Sequence, residues 1–241
     1  MQPKAEVNKA ATTSKSSSKF THRRGRWCIT LQHDADAIPL ICYLANQHPK
    51  SVCSISHTQR VAPYGSLFKQ ICTNELIVPG KKQTSVETTL KTFSKGSLKS
   101  GLCLLRGNTP DLGSYPCAFN SVKADALIYW GLPTQNSYLW PSRVLQGQFT
   151  HIYLILPPDQ LIAVTNLVPA NDFPEHPDSN LLNAQGSGSP LYLVRERVRS
   201  VLVNISAKQI KQISRHYTPA HRPAHSLSEF MGNVMLRSNY Q

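Results

Sequence analysis

Apolar residues recur along the chain in short blocks of two different periods, and the two kinds of block alternate. Trp27, Ile29 and Leu31 stand at every second position, the period of a half-buried strand. Ala37, Ile38, Ile41, Cys42, Leu44 and Ala45 follow at helical spacing, with Asp34 placed to cap the helix and His48-Pro49 to stop it. Ser51–Ser56 is a short run of small and β-branched residues. Pro63 then suits the first turn of a helix that turns Leu67, Phe68 and Ile71 inward. Leu76-Ile-Val78 is a brief apolar burst ended by Pro79-Gly80. A helix from about Ser85 to Phe93 turns Val86, Leu90 and Phe93 to one side, and Gly96 stands where a helix-ending glycine would. Gly101–Leu105 is a continuous apolar run of strand length, and Ala124–Trp130 and Phe149–Leu156 are mostly apolar ones. Residues 106–117 read as a loop, and 134–142 as a loop with a short helix.

Strands alternating with helices predict an α/β domain: a mostly parallel sheet with helices on both faces. In such sheets ligands bind in loops at the carboxyl ends of the strands. This domain spans 27–160. Residues 161–190 have a linker's composition, rich in Pro, Asn, Asp, Gly and Ser. Helical periodicity returns through Leu193, Val194, Val198, Val201, Leu202 and Ile205, so 191–241 reads as a loosely packed helical C-terminal extension.

The net charge of +13 changes the picture, because an excess of this size favours a polyanion partner. Much of it sits in residues 1–26, where Lys4, Lys9, Lys15, Lys19, Arg23, Arg24 and Arg26 face a single acid, Glu6. That segment lacks apolar periodicity and reads as a disordered basic tail, with a mitochondrial transit peptide as the alternative. The six cysteines (28, 42, 53, 72, 103, 117) form no CxxC pair, several lie in apolar runs, and no signal peptide leads the chain. They read as reduced, mostly buried thiols of an intracellular protein, in nucleus, nucleolus, cytoplasm or mitochondrion. No apolar run is long enough to span a bilayer, which requires about 18 residues.

Several chemistries are excluded on spacing. Gly80-Lys81-Lys82 lacks the upstream glycine and the hydroxyl residue of a phosphate-binding P-loop. Asp34 and Asp36 are two carboxylates without further metal ligands, and capping accounts for Asp34. Ser142 and Ser228 have no strand-turn-helix elbow around them. His216, His221 and His225 lie among prolines in an irregular tail. No catalytic residue and no metal site is assigned. The loop Pro79-Gly80-Lys81-Lys82-Gln83 is different: it follows a strand end and precedes a helix N-terminus, where backbone N–H groups favour a phosphate.

These residues, PGKKQTSVETTLKTFSKGSLKSGLCLLRGNTPDLGSYP, resemble a segment of the C-terminal, RecA-like lobe of DEAD-box (superfamily 2) RNA helicases. In that family a strand leads to an HGxxxQ loop, a helix ending in Phe, a Gly turn, an apolar strand and a TD…ARGLD-x-P loop. The resemblance covers about 27–160, anchored on Gly80, Gln83, Phe93, Gly96, Pro116, Pro133 and Tyr138. The departures fall on the chemistry. The family's HG reads Pro79-Gly80, and the arginine after the glutamine is Val86. The TD pair falls on Arg106-Gly107, and the nucleotide-side Asp falls on Ser114. The arginine-rich HRxGRxxR motif shrinks to Arg143 within Trp140–Gln146.

The resemblance implies a degenerate helicase C-terminal lobe that binds RNA through phosphates at Gly80, Lys81, Lys82, Gln83 and Arg106. Ser114 and Arg143 are remnants of a nucleotide side. Phosphoryl transfer needs a P-loop, a Mg²⁺ ligand and usually an arginine finger, so no cofactor is expected. ATP and Mg²⁺ would enter only if a separate N-terminal lobe were supplied. RNA is the expected partner, with such a lobe or another protein as alternatives, and no membrane. Two rival readings stand beside it: a lobe completing the ATPase site of a two-part helicase, and a vestigial or protein-interaction module.

Overall fold

In a computed structural model, the described residues are 25–56, 58, 60–79, 83–95, 99–107, 119, 122–133, 135, 137, 139–140, 144, 148–157, 160 and 172–216. The strands are β1 (Gly25–Thr30), β2 (Lys50–Ile55), β3 (Leu76–Ile77), β4 (Gly101–Arg106), β5 (Ala124–Trp130) and β6 (Phe149–Leu156). The helices are α1 (Ala37–Gln47), α2 (Ala62–Ile71), α3 (Gln83–Ser94), α4 (Ser179–Asn183), α5 (Tyr192–Val203) and α6 (Ala207–His216). The strands form one six-stranded sheet in the order β1-β6-β5-β2-β4-β3, and every pairing is parallel. The α/β architecture with helices on both faces is therefore the architecture of the chain, and its carboxyl strand ends share one rim.

The register explains why the central strands read as mostly apolar runs. Cys53 and Ile55 of β2, Leu102 and Leu104 of β4, and Ile128 and Trp130 of β5 face α1 and α2. Val52, Cys103, Leu105, Leu127 and Tyr129 face the other way, onto Leu90 and Phe93 of α3. A strand buried on both faces has no polar side to show. α3 is closed at its C-terminus by Lys50, whose Nζ donates to the carbonyls of Phe93 (3.3 Å) and Lys95 (3.1 Å). A cation there satisfies orphan carbonyls and suits the helix dipole. Gly96 lies outside the described residues. Gly65 lets α2 approach the sheet, because a Cβ there would meet Val78 Cγ2 at 2.7 Å.

Three expectations are corrected. β1 begins at Gly25, so Arg26 belongs to the sheet and not to the tail. Its guanidinium lies 5.7 Å from the Phe173 ring centroid and donates to the Val144 carbonyl at 3.4 Å. Residues 172–183 form a strap along β1, not a spacer. Cys28 donates to Pro174 O and accepts from His176 N–H, both at 2.8 Å. Asn183 accepts from Gln32 N–H and donates to Thr30 O, both at 2.9 Å. Finally, Asp34 opens a 3-10 turn, Asp34–Asp36, and α1 starts at Ala37 with Asp36 at its cap position and no side-chain capping bond.

Asp36 is committed elsewhere. Arg195 of α5 grips its carboxylate with Nε (2.8 Å) and Nη2 (3.0 Å). The remaining guanidinium hydrogens go to Ala184 O, Ser189 Oγ and Leu182 O at 2.6–3.1 Å. All five donors are used. This pair and the buried Val198 and Leu202 dock α5 across α1 and α2. Among the described residues no helix is long and apolar enough to cross a membrane.

With side-chain exposures of 12% and 8%, the pair is buried enough that removing one partner strands the other. Arg195→Ala should lower the unfolding free energy by about 3–5 kcal/mol in urea denaturation. Asp36→Ala combined with Arg195→Ala should recover part of that loss, since the orphaned carboxylate is then gone. Equal stability of the single variant and the parent would show that the pair does not hold the extension.

Candidate nucleic-acid interface

The rim is built where the backbone ladder runs past the strand ends. Gly107 N–H donates to Ile55 O (2.8 Å), Ser56 N–H to Trp130 O (3.1 Å) and Gly131 N–H to Ile155 O (2.9 Å). Ser56 Oγ donates to the same Trp130 carbonyl at 2.8 Å. Ser137 Oγ donates to Gly107 O at 2.5 Å and accepts from Leu139 N–H at 3.2 Å. That bond ties the segment after β5 to the first residue beyond β4.

Two glycines make this close stacking feasible. A Cβ on Gly107 would lie 2.7 Å from the Ser56 Cα and 2.9 Å from its amide nitrogen. Gly131 has φ of +74°, in the left-handed region, and a Cβ there would collide with Ser56 Oγ. Glycine is the residue that meets both demands.

Arg106 ends β4 and is exposed on this rim, paired in register with Ile55. Gln83 is the first residue of α3, the helix that follows β3, so the α3 N-terminus opens on the same rim. The fold therefore brings Arg106 and the start of α3 to one edge of the sheet. Gly80, Lys81, Lys82, Ser114 and Arg143 lie outside the described residues, as does most of the loop 106–117.

Sequence reading missed the polar floor beneath the rim. Ser54 and Tyr129 are register partners on β2 and β5, and their side chains face α3. Both hydroxyls are buried and find no hydrogen-bond partner among the described residues. Burial pushes the Tyr129 phenol far above its ordinary range, although Arg26 pulls it down in part. A hydroxyl in each of two facing apolar strands was the available signal. Burial also pushes the Cys103 thiol, on the same face, up to about 12. Among the described residues no three His, Cys, Asp or Glu side chains assemble as metal ligands.

No family model matches the chain. No curated protein matches it either. Among solved structures, it is similar to one of the E. coli DEAD-box protein SrmB bound to regulator of ribonuclease activity A (RraA). There the identity is 12% over 64% of this chain and 89% of that one, with a TM-score of 0.42. It is similar to the Mss116p DEAD-box helicase domain 2 bound to an RNA duplex, at 15% identity over 87% and 85%, with a TM-score of 0.46. It is also similar to the Sulfolobus solfataricus SWI2/SNF2 ATPase C-terminal domain, at 11% identity over 61% of each chain, with a TM-score of 0.31. The strand order and register, not these scores, carry the fold assignment.

The rim glycines separate two costs. Gly131→Ala meets both an unfavourable φ and a collision, and should destabilise the chain by about 1–3 kcal/mol or more. Gly186 has φ of +76° with open space around it. Gly186→Ala should therefore cost only the conformational part, about 1–2 kcal/mol. Urea midpoints of the two variants measure the difference, and equal losses would remove the steric role of Ser56.

Proposed function

We propose that this chain is a helicase C-terminal-type lobe that binds RNA through phosphate contacts along the carboxyl rim of its sheet and does not hydrolyse ATP by itself. The observation that carries the reading is the placement of Arg106, exposed at the end of β4, on the same rim as the α3 N-terminus. The three residues before α3 are Gly80, Lys81 and Lys82. A helix N-terminus offers unpaired backbone N–H groups to a phosphate, and lysines and arginine add charge without reading base identity. The excess of +13 favours the same partner. The ATPase reading is weakened by composition at the expected places: no P-loop spacing, Ser114 in place of a carboxylate, and Arg143 as a lone arginine.

Binding of this kind is sequence-tolerant and falls steeply with salt. For a single strand the logarithmic slope is about 0.7 per phosphate neutralised. Fluorescence anisotropy of a labelled single-stranded RNA, titrated at several salt concentrations, tests it. The full chain and a version lacking residues 1–24 should both bind. Arg106→Glu and the double variant Lys81→Glu, Lys82→Glu should each bind more weakly with a flatter slope. Binding that disappears with residues 1–24, or rim variants with unchanged affinity and slope, would remove the rim from the function.

A further inference from the structure

Two thiols outside the rim stand in an arrangement that the RNA-binding reading does not use. Cys42 lies in the middle of α1 and Cys72 directly follows α2, thirty residues on, where its N–H closes that helix on Phe68 O at 2.8 Å. Their sulfurs are 3.1 Å apart. Both residues are buried, Cys42 fully and Cys72 to 6% exposure. Neighbouring bonds hold the approach in place. Thr73 Oγ1 donates to Asn46 Oδ1 at 2.7 Å, and Asn74 Nδ2 donates to Ala45 O at 2.6 Å. The turn after α2 is thus fastened to the C-terminal half of α1 beside the sulfur pair. A disulfide bond is about 2.05 Å long, so about 1 Å of closure separates the pair from a covalent link.

We propose that Cys42 and Cys72 are an oxidative modification site, joining as a reversible disulfide when the chain meets a peroxide. Cys72 is the entry point, because it keeps some exposure and Thr73 beside it is exposed. Its thiolate attacks one oxygen of hydrogen peroxide. An S–O bond forms, the O–O bond breaks, and the departing hydroxide takes up a proton as water. Cys72 is then a sulfenic acid. The Cys42 thiolate attacks the Cys72 sulfur, forming S–S and breaking S–O, and the second hydroxide leaves as water with the Cys42 proton. Two thiols lose two electrons, and one peroxide becomes two waters. A dithiol reductant reverses the link.

The link would fasten α1 to residues 72–75, from which β3 starts, and so anchor the edge strand that leads into Pro79 and the loop after it. Burial raises the Cys42 thiol well above its ordinary value, with the neighbouring Cys72 adding to the effect. The attacking species is the thiolate, so linkage is slow near neutral pH and accelerates as pH rises. Cys53 of β2 faces the same side of the sheet and is the competing partner.

Peptide mapping of the native full-length chain after treatment with hydrogen peroxide decides the matter. Trypsin cuts after Arg26, Lys50, Lys69 and Lys81, so the link joins residues 27–50 to residues 70–81. Fragmentation of that pair distinguishes Cys42 from Cys28. The expected result is this linked pair, two hydrogens lighter than its parts and undone by dithiothreitol. It should form faster at about pH 9 than at about pH 7. The oxidised chain should melt higher than the reduced one by roughly 5 °C or more, because a closed loop restricts the unfolded state. Cys72→Ser should abolish both the link and the shift. A Cys53–Cys72 link, or free alkylation of Cys42 and Cys72 after oxidation, overturns the proposal, and the wild-type map gives that answer even if the variant does not fold.

Discussion

A parallel strand cannot be joined to its neighbour by a tight turn, and the rest of this structure follows from that constraint. Each described pairing in the sheet is parallel, so the chain must return to the end of the sheet where the strands begin before every new strand. Helices make those returns where they are described, and they cover both faces. The same constraint collects every strand's carboxyl end on one rim, where backbone groups leave the ladder and polar loops begin. Gly107, Gly131 and Ser56 show how tight the stacking is there. The place for a ligand is thus a product of strand direction, settled before any particular loop residue is chosen.

The second dependency is a single guanidinium. Arg195 reaches from the C-terminal helices to the turn before α1 and meets acceptors with all of its hydrogens. It converts α5 from an appended helix into an outer layer over α1 and α2. The effect is visible in α1, where every residue from Ala37 to Ala45 is buried. A helix between a sheet and another helix has no solvent face, and its sequence is apolar around the circumference. Leu193 and Val203, on the far side of α5, remain exposed.

Much of this was legible in the sequence. The apolar runs of β4, β5 and β6 matched their strands closely, because two-sided burial leaves an unambiguous signal. α2 and α3 followed from their spacing. What escaped was long-range polar pairing. Nothing local to Asp36 points to a partner near residue 195, and nothing in Lys50 announces that it closes α3. The strap at 172–183 has few apolar residues and holds on through backbone bonds and Asn183, so composition made it a linker. The continuous apolar character of AIPLICYLA was the overlooked sign that the extension packs, since a helix with one exposed face would not need it. At the candidate site, the position of Arg106 and the start of α3 followed from strand order. The serine and tyrosine hydroxyls under the rim did not, because an apolar strand pattern tolerates an occasional polar residue without signalling where it points.

The outer position of β1 bears on the order in which the molecule can assemble. Gly25 pairs with His151 and Thr30 with Leu156, so among the described strands the first finds its sheet neighbour in the last. Its other edge is covered by residues still further along, at Pro174 and His176. During synthesis, β1 must therefore wait unpaired while the centre of the sheet forms around β2, β4 and β5. Closure of so long a loop is entropically costly and slow. Capture of β1 thus waits on residues more than a hundred positions away, and a chain interrupted before them would leave an open strand edge available to other molecules.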